Sequence, residues 1–192
     1  MNGYATEILV TLHKDGQTVT VSDNGRGIPV DKHPRTKKPA LEMVLTVLHA
    51  GGKFEGKNYK TSGGLHGVGA SAVNALSKKL VAVVRRDGAQ HRMEFSKGKT
   101  IGKLQKAKSK VRGTGTTITF TPDPTIFPKI EFDADTIRQR LEVTSFLHKG
   151  VKVSFVDEVH DRKDSYHHER GIVASQPFWE FGPGHDQWSA RQ

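Results

Sequence analysis

The sequence predicts an α+β fold, an open mixed sheet with helices on one face. Several short runs alternate apolar and polar residues, as half-buried strands do, and turns rich in glycine separate them. Other segments repeat apolar residues every three or four positions, which is the spacing of a helix that packs on one side. The two kinds of segment intermingle along the chain without an internal repeat, and this order is typical of α+β domains.

The N-terminal part begins with a predicted β-hairpin. Glu7–Leu12 and residues 18–22 have the composition of strands, and a turn signal containing Asp15 and Gly16 lies between them. The second strand ends at Asp23. A helix is predicted over residues 39–50, with Gly51 as its cap. Its apolar face carries four residues: Leu41, Val44, Leu45 and Leu48. Residues 51–62 are glycine-rich and lack periodicity, which predicts a mobile loop.

The stretch TSGGLHGVGASAVN, residues 61–74, is the most informative part of the chain. Its glycines are Gly63, Gly64, Gly67 and Gly69. Helical spacing then follows at Val68, Ala72, Val73 and Leu76, so a glycine-rich loop opens a helix at about residues 67–70. Free N–H groups and the dipole at a helix start bind anions, and glycine lets the backbone approach a phosphate. The alternative is a flexible turn before an ordinary helix.

The C-terminal half continues the mixed pattern. Strands are predicted over residues 80–85 and 90–95, paired about Asp87 and Gly88, and over residues 116–121. A helix follows over residues 135–147, marked by Ile137, Leu141 and Thr144, with Gly150 past its end. Alternation at Val151, Val153 and Phe155 predicts the last strand.

Composition indicates a soluble, cytoplasmic protein with polyanionic partners. The chain has 30 Lys and Arg against 20 Asp and Glu, a formal charge of +10. Two basic clusters, residues 31–38 and 97–112, look like loops; direct DNA contact and plain solvation explain them equally well. Without cysteine there is no disulfide or thiolate metal site, and no apolar run is long enough to span a membrane.

Three motifs together resemble a known family. VSDNGRGIP at residues 21–29 precedes HAGGKF at residues 49–54 and GGLHGVG at residues 63–69. The set resembles the ATP-binding domain of the GHKL superfamily, and within it the B subunits of bacterial type II topoisomerases, gyrase and topoisomerase IV. The resemblance runs from about Ile8 to Gly171 and implies a two-layer α/β sandwich. It divides the chain into a partial ATP-binding domain, residues 1–171, and a divergent tail, residues 172–192.

The resemblance implies an adenine pocket around Asp23. A carboxylate at a strand end can accept a hydrogen bond from the exocyclic amine of adenine, helped in the family by a water that Thr116 would share. The alternative is an Asx-turn ahead of Asn24 and Gly25. The other family positions around adenine are Gly25, Arg26, Gly27, Ile28 and Pro29. Aminocoumarin inhibitors would use Asp23, Arg86, Pro29 and Thr116.

The resemblance also places the phosphates. Lys53 and Tyr59 match lid positions that approach phosphate and ribose. Backbone N–H groups would come from Gly64, Leu65, His66, Gly67, Val68 and Gly69. His66 invites a role as general base, but the family uses that histidine near the phosphates instead.

No catalytic or metal-binding residue is assigned. The resemblance places the family's general-base glutamate and Mg²⁺-binding asparagine on a helix that would precede these residues, so we expect Mg²⁺ to lack its protein ligand here. Asn2 and Glu7 are poor substitutes, because Glu7 belongs to the first strand. The histidines and acids at His160, His167, His168, Asp157, Glu158 and Asp161 fit no metal-ligand spacing.

Two functions remain open from sequence, and a pure nucleic-acid-binding protein is a third option from charge alone. One is a truncated topoisomerase ATPase domain that binds ATP weakly with hydrolysis impaired, and that meets DNA only through the intact enzyme. The other is a binding module that sequesters a nucleotide, an aminocoumarin-like inhibitor or a topoisomerase subunit.

Loss of the N-terminal helix would expose the first two strands. We expect a homodimer from this exposure, with Glu7–Leu12 as an edge strand and Ile8, Val10, Val19 and Val21 uncovered. The tail, residues 172–192, is expected to be poorly ordered unless Phe178, Trp179 and Trp188 find an apolar surface. Its sequence looks frameshifted, fused or added for expression.

Overall fold

The computed structural model describes residues 5–48, 68–108 and 112–169. These ranges contain one mixed sheet and three helices. The strands are β1 (Glu7–Leu12), β2 (Val19–Asp23), β3 (Ser77–Arg86), β4 (Ala89–Ser96), β5 (Lys99–Lys108), β6 (Gly115–Pro122), β7 (Lys152–Asp157) and β8 (Arg162–His167). The helices are α1 (Ala40–Thr46), α2 (Gly69–Ala75) and α3 (Ala134–Leu147). No helix in these ranges is long and apolar enough to cross a membrane.

The eight strands form one sheet in the order β5-β4-β3-β6-β2-β1-β7-β8. Neighbours are antiparallel except for β1 and β7, which are parallel. The predicted open mixed sheet with helices on one face is confirmed. The prediction that Glu7–Leu12 is an edge strand is wrong, because β7 returns after α3 to pair with β1 on its second side. The described edges are β5 and β8.

Two strands were missed by sequence reasoning. The basic cluster 97–112, predicted as a loop, contains β5, where Thr100 and Leu104 are half-buried and the other side chains are exposed. A register shift opposite Arg92 and Glu94, where Gly102 has φ 78°, further obscures its alternation. β8 is also almost entirely polar. An edge strand rich in lysine is a common protection against aggregation, and it carries little apolar signal.

The helices lie at their predicted positions, and Leu41, Leu45, Ile137 and Leu141 pack on the core as predicted, but two other residues of the predicted faces do not. α1 ends at Thr46, and Leu48, expected on its apolar face, is 63% exposed. In α2 the fully buried residues are Ser71 and Asn74, whereas Leu76 at its end is exposed. α3 begins as predicted, because the Asp133 carboxylate accepts from the first free N–H groups of the helix. The cap expected at Gly51 and the loop expected over residues 51–62 lie outside the described residues.

The two faces of the sheet have different chemistry. On the helical face, one core cluster gathers α1, β3 and β4, and a second gathers β1, β2 and β7 against α3. Val10 and Val19 are buried in the second cluster, so the expectation that both lose their cover is wrong. On the opposite face, hydroxyls pair across β2 and β6, for example Thr20 with Thr119 at 2.9 Å. The helices therefore share one layer and leave a polar sheet face.

Candidate functional site

Adjacent strand ends bring together the predicted residues of the adenine side. Asp23, the last residue of β2, lies opposite Thr116 on β6, and Thr116 lies opposite Val84 on β3. Val84 belongs to the buried cluster that contacts α1, so these residues lie on the helical face. Arg86 ends β3 two residues further on. The sequence-predicted residues of this side thus meet at one end of the sheet.

One oxygen of Asp23 has a structural task. Its Oδ1 accepts a hydrogen bond from the main-chain N–H of Gly25 at 2.8 Å, which is the Asx-turn considered from sequence. The side chain is half-buried, and no described residue donates to Oδ2. The turn fixes the orientation of the carboxylate and leaves its second oxygen able to accept a donor.

Two glycines are required by close packing. Gly27 has φ +76°, and a Cβ there would stand 2.9 Å from the main-chain oxygen of Arg85. Gly115 has φ +151°, and a Cβ would overlap the main-chain oxygen of Asp23. The loop after β2 therefore presses against the ends of β3 and β6, which only glycine permits.

The loop after β2 is also held by side chains. Thr116 is buried, and its Oγ1 accepts from the N–H of Ile28 at 3.2 Å. This role is additional to the water that Thr116 was predicted to share with Asp23. Ile28 packs against the core cluster below α1. A residue predicted to contact a ligand thus also anchors the backbone of the pocket.

Sequence reasoning missed two further anchors. The side-chain oxygen of Asn24 accepts from the N–H groups of Thr6 and Glu7, both at 2.9 Å. The hydroxyl of Thr114 donates to the main-chain oxygen of Gly25 at 2.6 Å. The only sequence signals are an Asn-Gly pair after a strand and a threonine between two glycines. Such signals predict a turn but give no partner.

Arg86, predicted at the rim of the pocket, lies beside the loop after β2. Its Nη1 is 3.4 Å from the main-chain oxygen of Gly27, and its Nε is 3.4 Å from a carboxylate oxygen of Asp87. Arg26 and Pro29 are exposed at the same loop. The guanidinium therefore borders the loop of the pocket while its own position is fixed by contacts on both sides.

The phosphate side is described only at its end. α2 begins at Gly69 after Val68, and a Cβ at Gly69 would meet no heavy atom within 4 Å. Neither packing nor backbone conformation requires glycine at this position. The remaining predicted residues lie outside the described part of the chain: Lys53, Tyr59, Gly64, Leu65, His66 and Gly67.

Glu7, the possible substitute for a catalytic glutamate, is paired with a lysine within the sheet. Glu7 lies in β1 opposite Lys152 of β7, and its carboxylate is 3.4 Å from the Lys152 ammonium. The expectation that Glu7 belongs to the first strand is confirmed. Asn2 lies outside the described residues.

The C-terminal histidines have structural contacts. Within residues 5–48, 68–108 and 112–169, no three His, Asp or Glu side chains are grouped to hold a metal ion. The Nδ1 of His160 lies 2.6 Å from Asp157. Burial would raise the pKa of Asp157, but hydrogen bonds from His160 and from the main chain of Val159 and His160 outweigh it and lower the pKa. His168 stacks on Phe146 with ring centres 3.9 Å apart.

An eight-stranded mixed sheet with helices on one face is a two-layer α/β architecture, and a solved ATPase domain has the same fold. The family described as histidine kinase-, DNA gyrase B- and HSP90-like ATPases matches residues 1–126. The chain belongs to this family.

The similar curated proteins are B subunits of DNA gyrase. The Thermus thermophilus subunit is 50% identical over 173 residues, which is 90% of this chain and 27% of that protein. The Campylobacter jejuni subunit is 49% identical over 172 residues, covering 90% of this chain and 22% of that protein. The chain therefore spans about a quarter of the length of these relatives.

A solved structure has the same fold. It is the 43K ATPase domain of Thermus thermophilus gyrase B in complex with an aminocoumarin, with a TM-score of 0.77 and 43% identity. The match covers 90% of this chain and 43% of that one. The predicted resemblance to gyrase B ATPase domains is thus confirmed.

Proposed function

We propose that this chain is an adenine-nucleotide-binding domain of a gyrase-type topoisomerase B subunit. The observation that carries the proposal is the orientation of Asp23. Its Oδ1 is held by Gly25 while no described residue donates to its Oδ2, at the end of a sheet whose family consists of ATPases. Oδ2 can accept a hydrogen bond from the exocyclic amino group of adenine, whereas guanine offers a carbonyl at the matching position.

The nucleotide would lie across the loop after β2. Gly25, Arg26, Gly27, Ile28 and Pro29 would form one wall, supported by Thr116. The phosphates would reach the backbone N–H groups of the loop ending at Gly69, under a lid that contains Lys53 and Tyr59. Mg²⁺ is the ion expected with ATP in this family. We assign it no protein ligand in these residues.

Weak hydrolysis by the 192-residue polypeptide is part of the proposal. Glu7 is the carboxylate nearest in sequence to a general-base position, and its pairing with Lys152 in the sheet keeps it from that task. Absence of a general base lowers a rate by about 10²–10⁴-fold. Any action on DNA topology is proposed only for a longer assembly, because the gyrase subunits are about three to four times as long.

Calorimetric titration with ATP and GTP, with and without Mg²⁺, tests the adenine site. We expect ATP to bind more tightly than GTP, and Asp23→Asn to weaken ATP binding by about 1–3 kcal/mol.

Asp161→Asn is the matched control. It removes the same charge in the turn between β7 and β8, at the other end of the sheet, and its φ of 53° suits asparagine. Equal ATP affinity of the wild type and Asp23→Asn would refute the proposal. A phosphate-release assay on the same samples tests hydrolysis.

A second candidate function is an inhibitor-binding module. The Thermus thermophilus domain of the same fold is described in complex with an aminocoumarin. In this chain Arg86 borders Gly27 at the rim, close to Asp23, Pro29 and Thr116. An aminocoumarin should raise the melting temperature, and Arg86→Ala should reduce the shift while leaving adenosine affinity unchanged. A shift that survives both Arg86→Ala and Asp23→Asn would exclude this site.

The quaternary and domain assignments remain proposals. With β1 inside the sheet, a homodimer would have to use another surface. One such surface is an apolar groove of about 200 Å³ beside α2, whose lining includes Val73, Leu76 and Phe127. A topoisomerase subunit is the other partner that we propose. Light scattering between 5 and about 100 μM would reveal self-association, and Phe127→Ser should suppress it. Deletion of residues 172–192 with unchanged melting would support the division at residue 171.

A further inference from the structure

The fold brings together two basic segments that lie far apart in sequence. Val30, which leads into residues 31–38, and Leu104 of β5 pack against the same core cluster as Leu41. The buried His91 on β4 lies opposite Lys106 of β5, and it also interacts electrostatically with Asp31 of the first segment. β5 is the edge of the sheet, and α1 lies against it.

This edge carries a concentrated positive charge. We define the basic patch as six exposed residues, Lys32, Arg35, Lys37, Lys103, Lys106 and Lys108. Among the described residues, no carboxylate lies within ion-pairing distance of any of them. The neighbouring Lys38 and Lys97 differ, because they pair with Glu42 and Asp123 at 2.8 Å. Between Phe95 and Pro122 the sequence contains no acidic residue.

Protection of an edge strand explains only half of the basic patch. Lysines on β5 would discourage pairing with another chain. Lys32, Arg35 and Lys37 lie on a loop and protect no strand, yet the fold places that loop beside β5. Two independent segments converge here with Asp31 as their only acidic residue, and such a strongly positive surface indicates a polyanionic partner.

We propose that the basic patch binds the phosphate backbone of duplex DNA. From Lys103 to Lys108 the strand extends roughly 17 Å, at about 3.3 Å per residue, and can contact about two or three successive phosphates of one DNA strand. Neither residues 31–38 nor β5 contains Phe, Tyr or Trp, so the patch offers no aromatic platform on which single-stranded bases could stack. Lysine-dominated contacts bind phosphates without reading sequence. The inference does not rest on nucleotide binding at Asp23.

Fluorescence anisotropy with a labelled 25-base-pair duplex tests the basic patch. One variant combines Lys103→Gln, Lys106→Gln and Lys108→Gln, and a second combines Lys32→Gln, Arg35→Gln and Lys37→Gln. The control combines Lys14→Gln, Lys149→Gln and Lys163→Gln, three exposed lysines of the described residues that lie in other regions and have no ion pair there. All three variants lower the formal charge of +10 by the same three units. Melting temperatures verify that each remains folded.

Each patch variant should weaken DNA binding about tenfold or more at low salt. It should also flatten the slope of log K against log salt by about 2.7, which is about 0.9 for each of three phosphates. The control should change the slope by less than one. Asp23→Asn should leave DNA affinity unchanged, so failure at the nucleotide site would not affect this result.

Three outcomes would overturn the inference. In one, the control weakens binding as much as the patch variants do, which would reduce the effect to net charge. In another, single-stranded DNA or polyglutamate competes as strongly as duplex DNA at equal charge concentration, which would indicate a different class of partner. The third is an absence of measurable DNA binding at low salt.

Discussion

The side-chain amide of Asn74 donates a hydrogen bond to the main-chain oxygen of Leu45 over 2.7 Å. Leu45 lies in the last turn of α1, where carbonyl groups lack partners within the helix. Asn74 is fully buried in α2. The bond therefore joins the helices on either side of residues 49–67, the segment that contains the predicted lid and most of the glycine-rich loop.

Replacement of Asn74 by alanine should destabilise the protein. The Leu45 carbonyl would lose its buried donor, at a cost of about 1–3 kcal/mol in the free energy of unfolding. Nucleotide affinity should fall as well, since the two ends of the lid segment would be less firmly held. Urea denaturation measures the first effect and calorimetry the second. Thr144→Ala, which removes an exposed hydroxyl bond within α3, should change both quantities little. Equal stability of Asn74→Ala and Thr144→Ala would contradict this reasoning.

Alanine substitutions at Gly27 and Gly88 distinguish the backbone strain of a positive φ from the steric overlap of an added Cβ. Both have positive φ, +76° and +69°, so alanine is strained at either position. At Gly88 a Cβ meets nothing within 4 Å, whereas at Gly27 it would stand 2.9 Å from the main-chain oxygen of Arg85. Gly27→Ala should therefore lower the free energy of unfolding by at least about 1 kcal/mol more than Gly88→Ala. Chemical denaturation of both variants provides the comparison, and equal losses would show that the loop can move away from β3.

Much of the fold could be predicted from sequence because its inner strands follow local rules. The hairpin between β1 and β2 has a turn held by Asp15, and the turn at Asp87 and Gly88 lies where it was predicted. The position of β1 could not be predicted, because its parallel partner β7 lies more than 140 residues away in sequence and no local pattern encodes that pairing. β5 was missed because only two of its side chains are half-buried.

The candidate site shows a similar division. A motif identified Asp23, and the structure adds which of its oxygens is held by the turn. Asn24 and Thr114 were missed because their partners are main-chain atoms, which every residue type provides. In α2 the apolar spacing predicts a buried face that contains Leu76. The buried residues are instead Ser71 and Asn74, whose side chains donate hydrogen bonds to main-chain oxygens.

The ion pair between Lys97 and Asp123 should make stability depend on acid pH. The side chain of Asp123 is buried, and the hydrogen bond from Lys97, followed by that from the main chain of Thr125, lowers its pKa below the usual 3.8. Because the folded-state pKa is the lower one, the contribution to stability is complete above about pH 5. It is lost as the pH falls through 3.8 and then through the folded-state pKa.

Urea denaturation between pH 6 and pH 2.5 measures this dependence. Lys97→Met should be less stable than the wild type near pH 6, and the difference should shrink as the pH falls below 3.8, because Asp123 is progressively protonated and the ion pair is lost. Lys99→Met is the control, since Lys99 is exposed and has no ion pair among the described residues. A difference that stays constant over the whole range would mean that Lys97 acts through packing and not through charge.

Substitution of Gly69 tests whether glycine is needed at this position for ligand binding or for the stability of the fold. It is the first residue of α2, lies outside the left-handed region, and has open space where a Cβ would project. Alanine at this position should leave the melting temperature unchanged or raise it, because alanine favours a helix over glycine by up to about 1 kcal/mol. If the N–H groups of this loop bind phosphate, a methyl group would obstruct the approach. ATP affinity should then fall about tenfold, or about 1.4 kcal/mol, while adenosine affinity stays the same.

Ala70→Gly, at the next exposed position, is the reciprocal control: it should lower the melting temperature without changing ATP binding. Unchanged ATP affinity in Gly69→Ala would mean that the phosphates lie elsewhere.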